Sequence, residues 1–483
     1  MPPPPRRPVL RQGMLWADLC VIGAGAGGLS VAAGAAQMGA AVVLIERGRM
    51  GGECLHSGCI PSKALLAAAH AAAAQRAAGR FGIAPAEPVI DWPALRRHLQ
   101  GVIAAIAPHD SAERFTGLGV TVLSGTARFI APDRVEAAGL VIRARRFVIA
   151  TGSSPALPAL PGLETVPFLT NETLFDLPER PAHLLVLGGG PMGVEMAQAF
   201  RRLGAEVTLL ARRRILPRDE PEAGALLRQV LMREGVRVME GAEPQAVAPG
   251  DGGGVRLRLA DGQHIAASHL LLATGRRPNI AGLGLDAAGI ATTPRGIVVD
   301  GGMRTSNRRV FAVGDVTGGP AFTHVAAEQA GVVLRRALFG LPARLDLSAL
   351  PWVTFTAPEV AHAGLTEAAA RAAGWRVQVA TAALAANDRA QAERCTEGMA
   401  KLVLGPGGRI LGATLIAPHA GEMIGLFCLA IRERLPARRL AAWLAPYPTM
   451  AEIGKRAAAT HLAPLLFGAG TRRLVGLIQR LLP

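Results

Sequence analysis

Asp18-Leu-Cys-Val-Ile-Gly23-Ala-Gly25-Ala-Gly-Gly28 reads as a strand, a tight turn and the start of a helix. Glycines in that turn let the backbone approach a pyrophosphate at a helix N-terminus. The next apolar run, Ala41-Val-Val-Leu-Ile, ends at Glu46, 23 positions past Gly23. An acid at that distance bonds a ribose hydroxyl. No charge occurs from Leu19 to Ile45, so a hydropathy scan reads a membrane span. The glycine spacing assigns the stretch to a βαβ unit instead.

Directly after this unit comes Gly-Gly-Glu-Cys54-Leu-His-Ser-Gly-Cys59-Ile-Pro-Ser-Lys63. A regular helix cannot bridge these cysteines. Five residues rise about 7.5 Å, whereas bridged Cα atoms lie about 4.4–6.8 Å apart. The chain must distort, and Gly58 eases that. Pro61 fits the first turn of a following helix, and Ala64 to Ala74 is strongly helix-forming. Cys59 then sits at a helix N-terminus, where the dipole favours a thiolate. Beside a nucleotide fingerprint, the pair reads as a redox-active dithiol set against a flavin. The plain alternative is two small core thiols. His56, between them, is either a tuner of Cys54 or an exposed filler.

The fingerprint recurs in Leu184-Leu-Val-Leu-Gly188-Gly-Gly190-Pro-Met-Gly193. Its following strand ends at Ala211, again 23 positions on, but without an acid. Arg212, Arg213 and Arg214 follow, then Arg218. A carboxylate repels a 2′-phosphate, whereas arginine forks bind it. The second site is expected to prefer NADPH over NADH. Two nucleotide sites and a dithiol describe an electron relay from nicotinamide through FAD to a disulfide.

The remaining composition is consistent with this. The chain has 483 residues, half hydrophobic and 18% charged, enough for about three domains. Its net charge of +16 comes from scattered arginines, since Lys63, Lys401 and Lys455 are the only lysines. Scatter argues for compositional bias over nucleic-acid binding. Cys20, Cys395 and Cys428 stand alone as packing residues. Sparse cysteine and no apolar leader after Met1 lead to an expected cytoplasmic location, with Met1 or Met14 as the start.

The chain resembles the class I pyridine nucleotide–disulfide oxidoreductases, the family of dihydrolipoamide dehydrogenase, glutathione reductase and mercuric reductase. The resemblance covers about residues 17 to 460. It rests on both fingerprints, the cysteine pair, Ala150-Thr-Gly152, Ala273-Thr-Gly-Arg-Arg-Pro-Asn279 and Val313-Gly-Asp315. It implies an α/β fold: two Rossmann-like domains for FAD and NADPH, plus a C-terminal α+β dimerisation domain. The expected divisions are an extension at 1–16, FAD binding at 17–155 and 281–345, and NAD(P)H binding at 156–280. A dimer-interface domain at 346–465 and a tail at 466–483 complete the chain. By resemblance, Gly23, Gly25, Gly28, Glu46, Gly152, Gly275 and Asp315 belong to cofactor binding. Gly188, Gly190, Gly193, Arg212 and Arg218 belong to the nicotinamide nucleotide. Cys59 is the thiolate stacked on the flavin and Cys54 the outer, exchanging thiol. Lys63 and Glu195 are similar to the family's ion pair by the flavin and nicotinamide. No resident metal is expected.

One run departs from the family. Disulfide reductases carry His-Pro-Thr-x-x-Glu near the C-terminus, where the histidine shuttles protons. Here it reads Pro446-Tyr447-Pro448-Thr449-Met450-Ala451-Glu452. A phenol with a pKa of about 10 is a poor base. Tyrosine at this position resembles mercuric reductase, yet no cysteine follows Cys428 to relay a metal ion. The expectation is a homodimeric reductase relaying NADPH electrons through Cys54–Cys59 to a disulfide, metal ion or related small acceptor. The alternatives are a diaphorase reducing quinones and, with every cofactor motif intact, a much weaker case for a non-catalytic binding protein. The tail from Leu462 to Pro483 mixes Leu, Val and Ile with Arg472, Arg473 and Arg480. It reads as an amphipathic helix, either capping a partner or touching a membrane face. No transmembrane segment is expected.

Overall fold

The computed structural model describes residues 6–482. Its first sheet is built on Met14–Ile22, with Val42–Glu46 parallel on one side and Leu140–Ile149 parallel on the other. Thr121–Ser124 extends one edge, and the hairpin strands Arg128–Ala131 and Arg134–Ala137 extend the other. The chain returns much later to add Val310–Ala312 in parallel beside Leu140–Ile149. Strands covered on both faces read as continuous apolar runs. That explains the uncharged stretch from Leu19 to Ile45: Leu19, Cys20, Val21, Val42, Val43 and Leu44 are all fully buried. Among the described residues, no helix is long and apolar enough to cross a membrane. The sheet begins earlier than position 17, because Val9–Arg11 pairs with the start of Met14–Ile22.

A second parallel sheet has the order Arg237–Glu240, Glu206–Ala211, His183–Leu187, His269–Leu272. An antiparallel three-stranded sheet spans Pro244–Ala267. The chain leaves the first sheet through Ser153–Pro155 and returns through Arg276–Pro278, and these two segments pair antiparallel. Thr151 and Asn279 clamp the crossing. The Thr151 hydroxyl donates to the Asn279 carbonyl at 2.7 Å, and the Asn279 amide donates to the Thr151 carbonyl at 3.0 Å. Gly152 and Gly275 sit in this crossing with φ of +65° and +133°.

The third sheet is antiparallel, ordered Pro351–Thr354, Glu359–Gly364, Ile410–Ala417, Met399–Leu404, Gln378–Ala383. Helices Ala420–Arg432 and Glu452–Leu466 pack against it. The C-terminal run does not form one helix. It breaks at Phe467-Gly468, and a separate helix spans Ala469–Leu481.

A buried cation joins the second and third sheets. Lys401, 3% exposed, places Nζ 3.0 Å from Glu220, 2.8 Å from Glu222 and 3.0 Å from Glu367. Three carboxylates around one ammonium tolerate its loss poorly, because removing one partner strands buried charge. Lys401→Met should therefore destabilise the fold by on the order of 3 kcal/mol. Thermal unfolding of the two proteins checks this, and an unchanged midpoint would show the cluster to be inert.

Candidate functional site

A cleft of about 610 Å³ opens beside the first sheet. Gly23, Gly25, Glu46, Cys54, Cys59, Gly152 and Asp315 all line it. The structure thus brings together residues spread over nearly three hundred positions. Tyr447 and Glu452 do not line the cleft of their own subunit.

The two fingerprints have matching geometry. Gly25 and Gly190 cap the helices Ala26–Gln37 and Pro191–Arg202. A Cβ on either would meet nothing within 4 Å. Each faces open space, as close approach of a pyrophosphate requires. Gly28 and Gly193 have a different role: a Cβ there would stand 1.9 Å from the carbonyl oxygens of Gly23 and Gly188. They permit the helix to pack on its strand. Gly23 and Gly188, with φ of +102° and +128°, make the turn.

Glu46 ends its strand with one carboxylate oxygen 2.6 Å from the Ala24 amide and the other 2.7 Å from the Gly48 amide. Ala211 ends the second strand and is 2% exposed. Arg212 and Arg218 are exposed. Arg214 is otherwise engaged, donating to the carbonyls of Leu216, Pro217 and Asp219. Arg212 meets only Glu243, at 3.5 Å, with its side chain 80% exposed, so Arg214 is the more fully engaged of the two. These residues fit the two nucleotides: a bare loop at each helix N-terminus, an acid on the first strand, arginines past the second.

Cys54 lies in the short helix Gly52–His56, and Cys59 is the first residue of Cys59–Arg76. Gly58 between them has φ −122° and ψ −115°, outside the regions open to ordinary side chains. A Cβ there would also press the Glu53 carbonyl at 3.0 Å. Both cysteines are thiols in this structure. The Cys54 thiol donates to Cys59, which lowers Cys59 to about 6 against the opposing effect of burial; Thr323 and the Lys63 charge assist. Cys54 is pushed far up, first by the proton it gives to Cys59 and then by burial. The Thr323 hydroxyl lies 3.4 Å from the Cys54 sulfur and 3.7 Å from the Cys59 sulfur. His56 does neither of the things expected of it: its Nε2 is bonded to the Met50 carbonyl at 2.8 Å, so it fastens the loop.

Behind Cys59, one turn along the helix, Lys63 Nζ stands 2.9 Å from Glu195. Glu195 is 4% exposed, and its second oxygen accepts the Phe355 amide at 2.9 Å. Lys63 also lies 4.3 Å over the Phe355 ring. The pair therefore ties the redox helix, the second fingerprint helix and the third sheet.

Sequence reasoning missed a second ionic group. Arg276 Nη1 donates to Glu53 at 2.6 Å, and Nη2 meets the other Glu53 oxygen. Its Nε donates to Ser153 at 2.7 Å and lies 3.4 Å from Asp315. Asn171 donates to Glu53 at 2.7 Å and to the Ser57 carbonyl at 3.1 Å. The signal was present, since a charge inside the Ala273–Asn279 motif needs a partner. Thr323 had no comparable signal.

Tyr447 is 69% exposed. Its hydroxyl donates to Asp388 at 3.0 Å, and that bond raises its pKa above the ordinary value. Glu452 begins the helix five positions on, with one carboxylate oxygen buried and unpartnered among the described residues.

Residues 17–330 match the family described as pyridine nucleotide-disulphide oxidoreductase, and residues 350–458 match its dimerisation domain. A mercuric reductase from Streptomyces lividans is 43% identical over 458 residues, covering 92% of this chain and 96% of that protein. A dihydrolipoyl dehydrogenase from Chlamydia muridarum is 36% identical, covering 90% and 95%. Among solved structures, a Cu(II) complex of the HOCl-induced flavoprotein disulfide reductase RclA from Escherichia coli superposes with a TM-score of 0.84. It is 28% identical and covers 92% of this chain and 99% of that one. The chain belongs to the pyridine nucleotide-disulphide oxidoreductase family, and is an FAD-dependent enzyme that takes electrons from NAD(P)H.

The glycine geometry separates the two nucleotide sites. Gly25→Ala should fold, yet purify with little or no flavin. Gly190→Ala should keep its flavin and bind NADPH more weakly. Flavin absorbance and NADPH titration read the two effects, and equal FAD occupancy in Gly25→Ala would remove Gly25 from the site.

Proposed function

We propose that this enzyme draws on NADPH and passes electrons through Cys54 and Cys59 to a soft metal ion, with disulfides as poorer acceptors. The supporting observation is the placement of the two thiols: Cys54 and Cys59 line the cleft together, 3.4 and 3.7 Å from the Thr323 hydroxyl, and Cys59 is the more readily ionised. Gly25, Glu46, Gly152 and Asp315 would meet FAD, with Gly23 making the turn and Gly28 the helix contact beneath it and Gly275 in the crossing; Gly190 would meet the nicotinamide nucleotide, with Gly188 and Gly193 in the same supporting roles. When bound, the flavin supplies the two-electron link between nicotinamide and disulfide.

The chain's own residues have distinct tasks in this reading. Cys59, over the cleft, is the inner thiolate, and Lys63 keeps positive charge beside it. Cys54 is the outer thiol, made reactive when it gives up its proton. With a disulfide acceptor, the Cys54 thiolate attacks one sulfur and displaces a thiolate. Cys59 then attacks Cys54, releasing the second thiol and leaving the Cys54–Cys59 disulfide. That sequence needs a base for the Cys54 proton and an acid for the leaving thiolates. Tyr447, exposed within the matched dimerisation domain, can donate a hydrogen bond but cannot accept a proton at neutral pH. A soft ion needs only two sulfur ligands. The mercuric reductase name of the Streptomyces relative and the Cu(II) in the RclA complex support this preference.

An acceptor screen tests the reading. NADPH oxidation should be stimulated by Hg(II) or Cu(II) and only weakly by lipoamide or glutathione disulfide. Cys54→Ser should abolish the response. Lipoamide turnover near the median enzymatic rate of about 10 s⁻¹ would overturn it. Tyr447→His should raise disulfide turnover, by less than the roughly 10²–10⁴-fold of an optimised base.

The pH dependence has a definite sign. Lowered Cys59 is thiolate above about pH 6 and is lost as pH falls through that value. Alkylation of the reduced protein by iodoacetamide should follow the same profile. In Cys54→Ala the donated proton is gone, so the midpoint should move up toward the ordinary thiol value of about 8.5. An unmoved midpoint would mean that Cys54 does not set it.

Arg212 and Arg218 are proposed to read the 2′-phosphate. Replacing both by Ala should weaken NADPH binding roughly tenfold or more and leave NADH nearly unchanged. Steady-state KM values for both nucleotides check this.

A further inference from the structure

The helix Ala469–Leu481 follows the matched dimerisation domain, which ends at residue 458. None of its residues is buried. At 3.6 residues per turn, Leu474, Val475, Leu477, Ile478, Leu481 and the following Leu482 share one arc of about 160°. All six are at least 39% exposed. Arg472, Arg473, Gln479 and Arg480 fill the opposite arc, with Gln479 and Arg473 nearest its two borders. Leu465 and Phe467, 73% and 68% exposed, carry apolar surface back to the end of the preceding helix. No acidic residue occurs after Glu452.

Three features choose among occupants. A coiled-coil seam with a second copy would be narrower, a stripe of two positions in seven, than this arc. The charged residues are arginines without a single acid, and their forks match phosphate oxygens while their stems run along apolar surface. A helix of 13 residues is about 20 Å long, too short to span a bilayer but suited to lying along one.

We propose that this C-terminal helix docks the enzyme on anionic phospholipid bilayers, with its Leu474–Leu482 face in the acyl boundary and Arg472, Arg473 and Arg480 among the phosphates. A wide apolar face opposite a basic polar face is the pattern of an interfacial helix. The inference is independent of the electron acceptor. It places a reductase with a net charge of +16 at a negative surface.

The test is flotation of the full-length, FAD-loaded protein with vesicles. Vesicles of phosphatidylglycerol mixed with phosphatidylcholine should carry the protein at low salt, and pure phosphatidylcholine should carry far less. High salt should weaken binding. Arg472→Glu, Arg473→Glu and Arg480→Glu combined should reduce affinity by at least roughly a hundredfold, at about fivefold per lost charge near the surface. Leu477→Asp with Leu481→Asp should abolish binding. Both variants should keep NADPH-dependent activity in solution, which excludes misfolding as the cause. No flotation on anionic vesicles, or flotation unchanged in both variants, would overturn the proposal. So would dissociation of a dimer by the leucine variant in sedimentation, since a second copy would then own this face.

Discussion

Two cysteine sulfurs must meet beside one threonine hydroxyl at the head of a helix, and the arrangement of this molecule follows from that constraint. Cys54 is pushed up and Cys59 is lowered, so one thiol is hard to ionise and the other is easy. That asymmetry requires the sulfurs to face each other across a loop that no regular helix permits. Gly58 supplies the backbone geometry, and the start of Cys59–Arg76 supplies the dipole. Thr323, at the start of another helix, reaches both sulfurs. Lys63 is then positioned by the helix itself, four residues from Cys59, and must find an acid. Glu195 meets it from the second fingerprint helix, and Phe355 from the third sheet closes the group. A local demand at two cysteines thus fixes how three parts of the chain meet.

Much of this was legible in the sequence because glycine is informative where backbone approaches backbone. Gly28 and Gly193 are expected from the motif to face the pyrophosphate with the others, yet a Cβ at either would strike a carbonyl oxygen at 1.9 Å, so they serve the contact of helix on strand instead. Gly25 and Gly190 read as ligand-facing, and both face open space. Buried parallel strands read as uncharged runs, which separates them from a membrane span only through the glycines between them. The return of Val310–Ala312 to the first sheet has no local signature. It follows from the paired motifs around Thr151 and Asn279, whose mutual hydrogen bonds bring the chain back to where it left.

What the sequence did not reveal is pairing between distant charges. Arg276 and Glu53 are 223 positions apart and meet over the cleft. Composition cannot say which of many arginines finds which acid. The same limit misled the reading of single residues. His56 sits inside the cysteine loop, yet its ring serves the Met50 carbonyl rather than a thiol. Arg214 belongs to a run that suits a phosphate, yet it is consumed by three backbone carbonyls. Spacing places a side chain near a site; only its hydrogen-bond partners decide whether it remains free to act there.

Tyr447 shows how such a partner narrows chemistry. An exposed phenol is already a weak base at neutral pH. Its bond to Asp388 keeps it protonated more firmly, because ionising the phenol would put two negative charges side by side. Glu452, which in the family's pattern orients an imidazole, keeps one oxygen buried without a partner. A proton-transfer pair has therefore become a hydrogen-bond donor beside an idle acid. Chemistry that must move protons to and from an outer thiol loses its carrier. Chemistry in which two sulfurs hold a soft cation must still release the Cys54 proton, but the cation itself displaces it, and no leaving thiolate has to be protonated. The departure at one position thus bears on the choice of acceptor more than the many positions that follow the family.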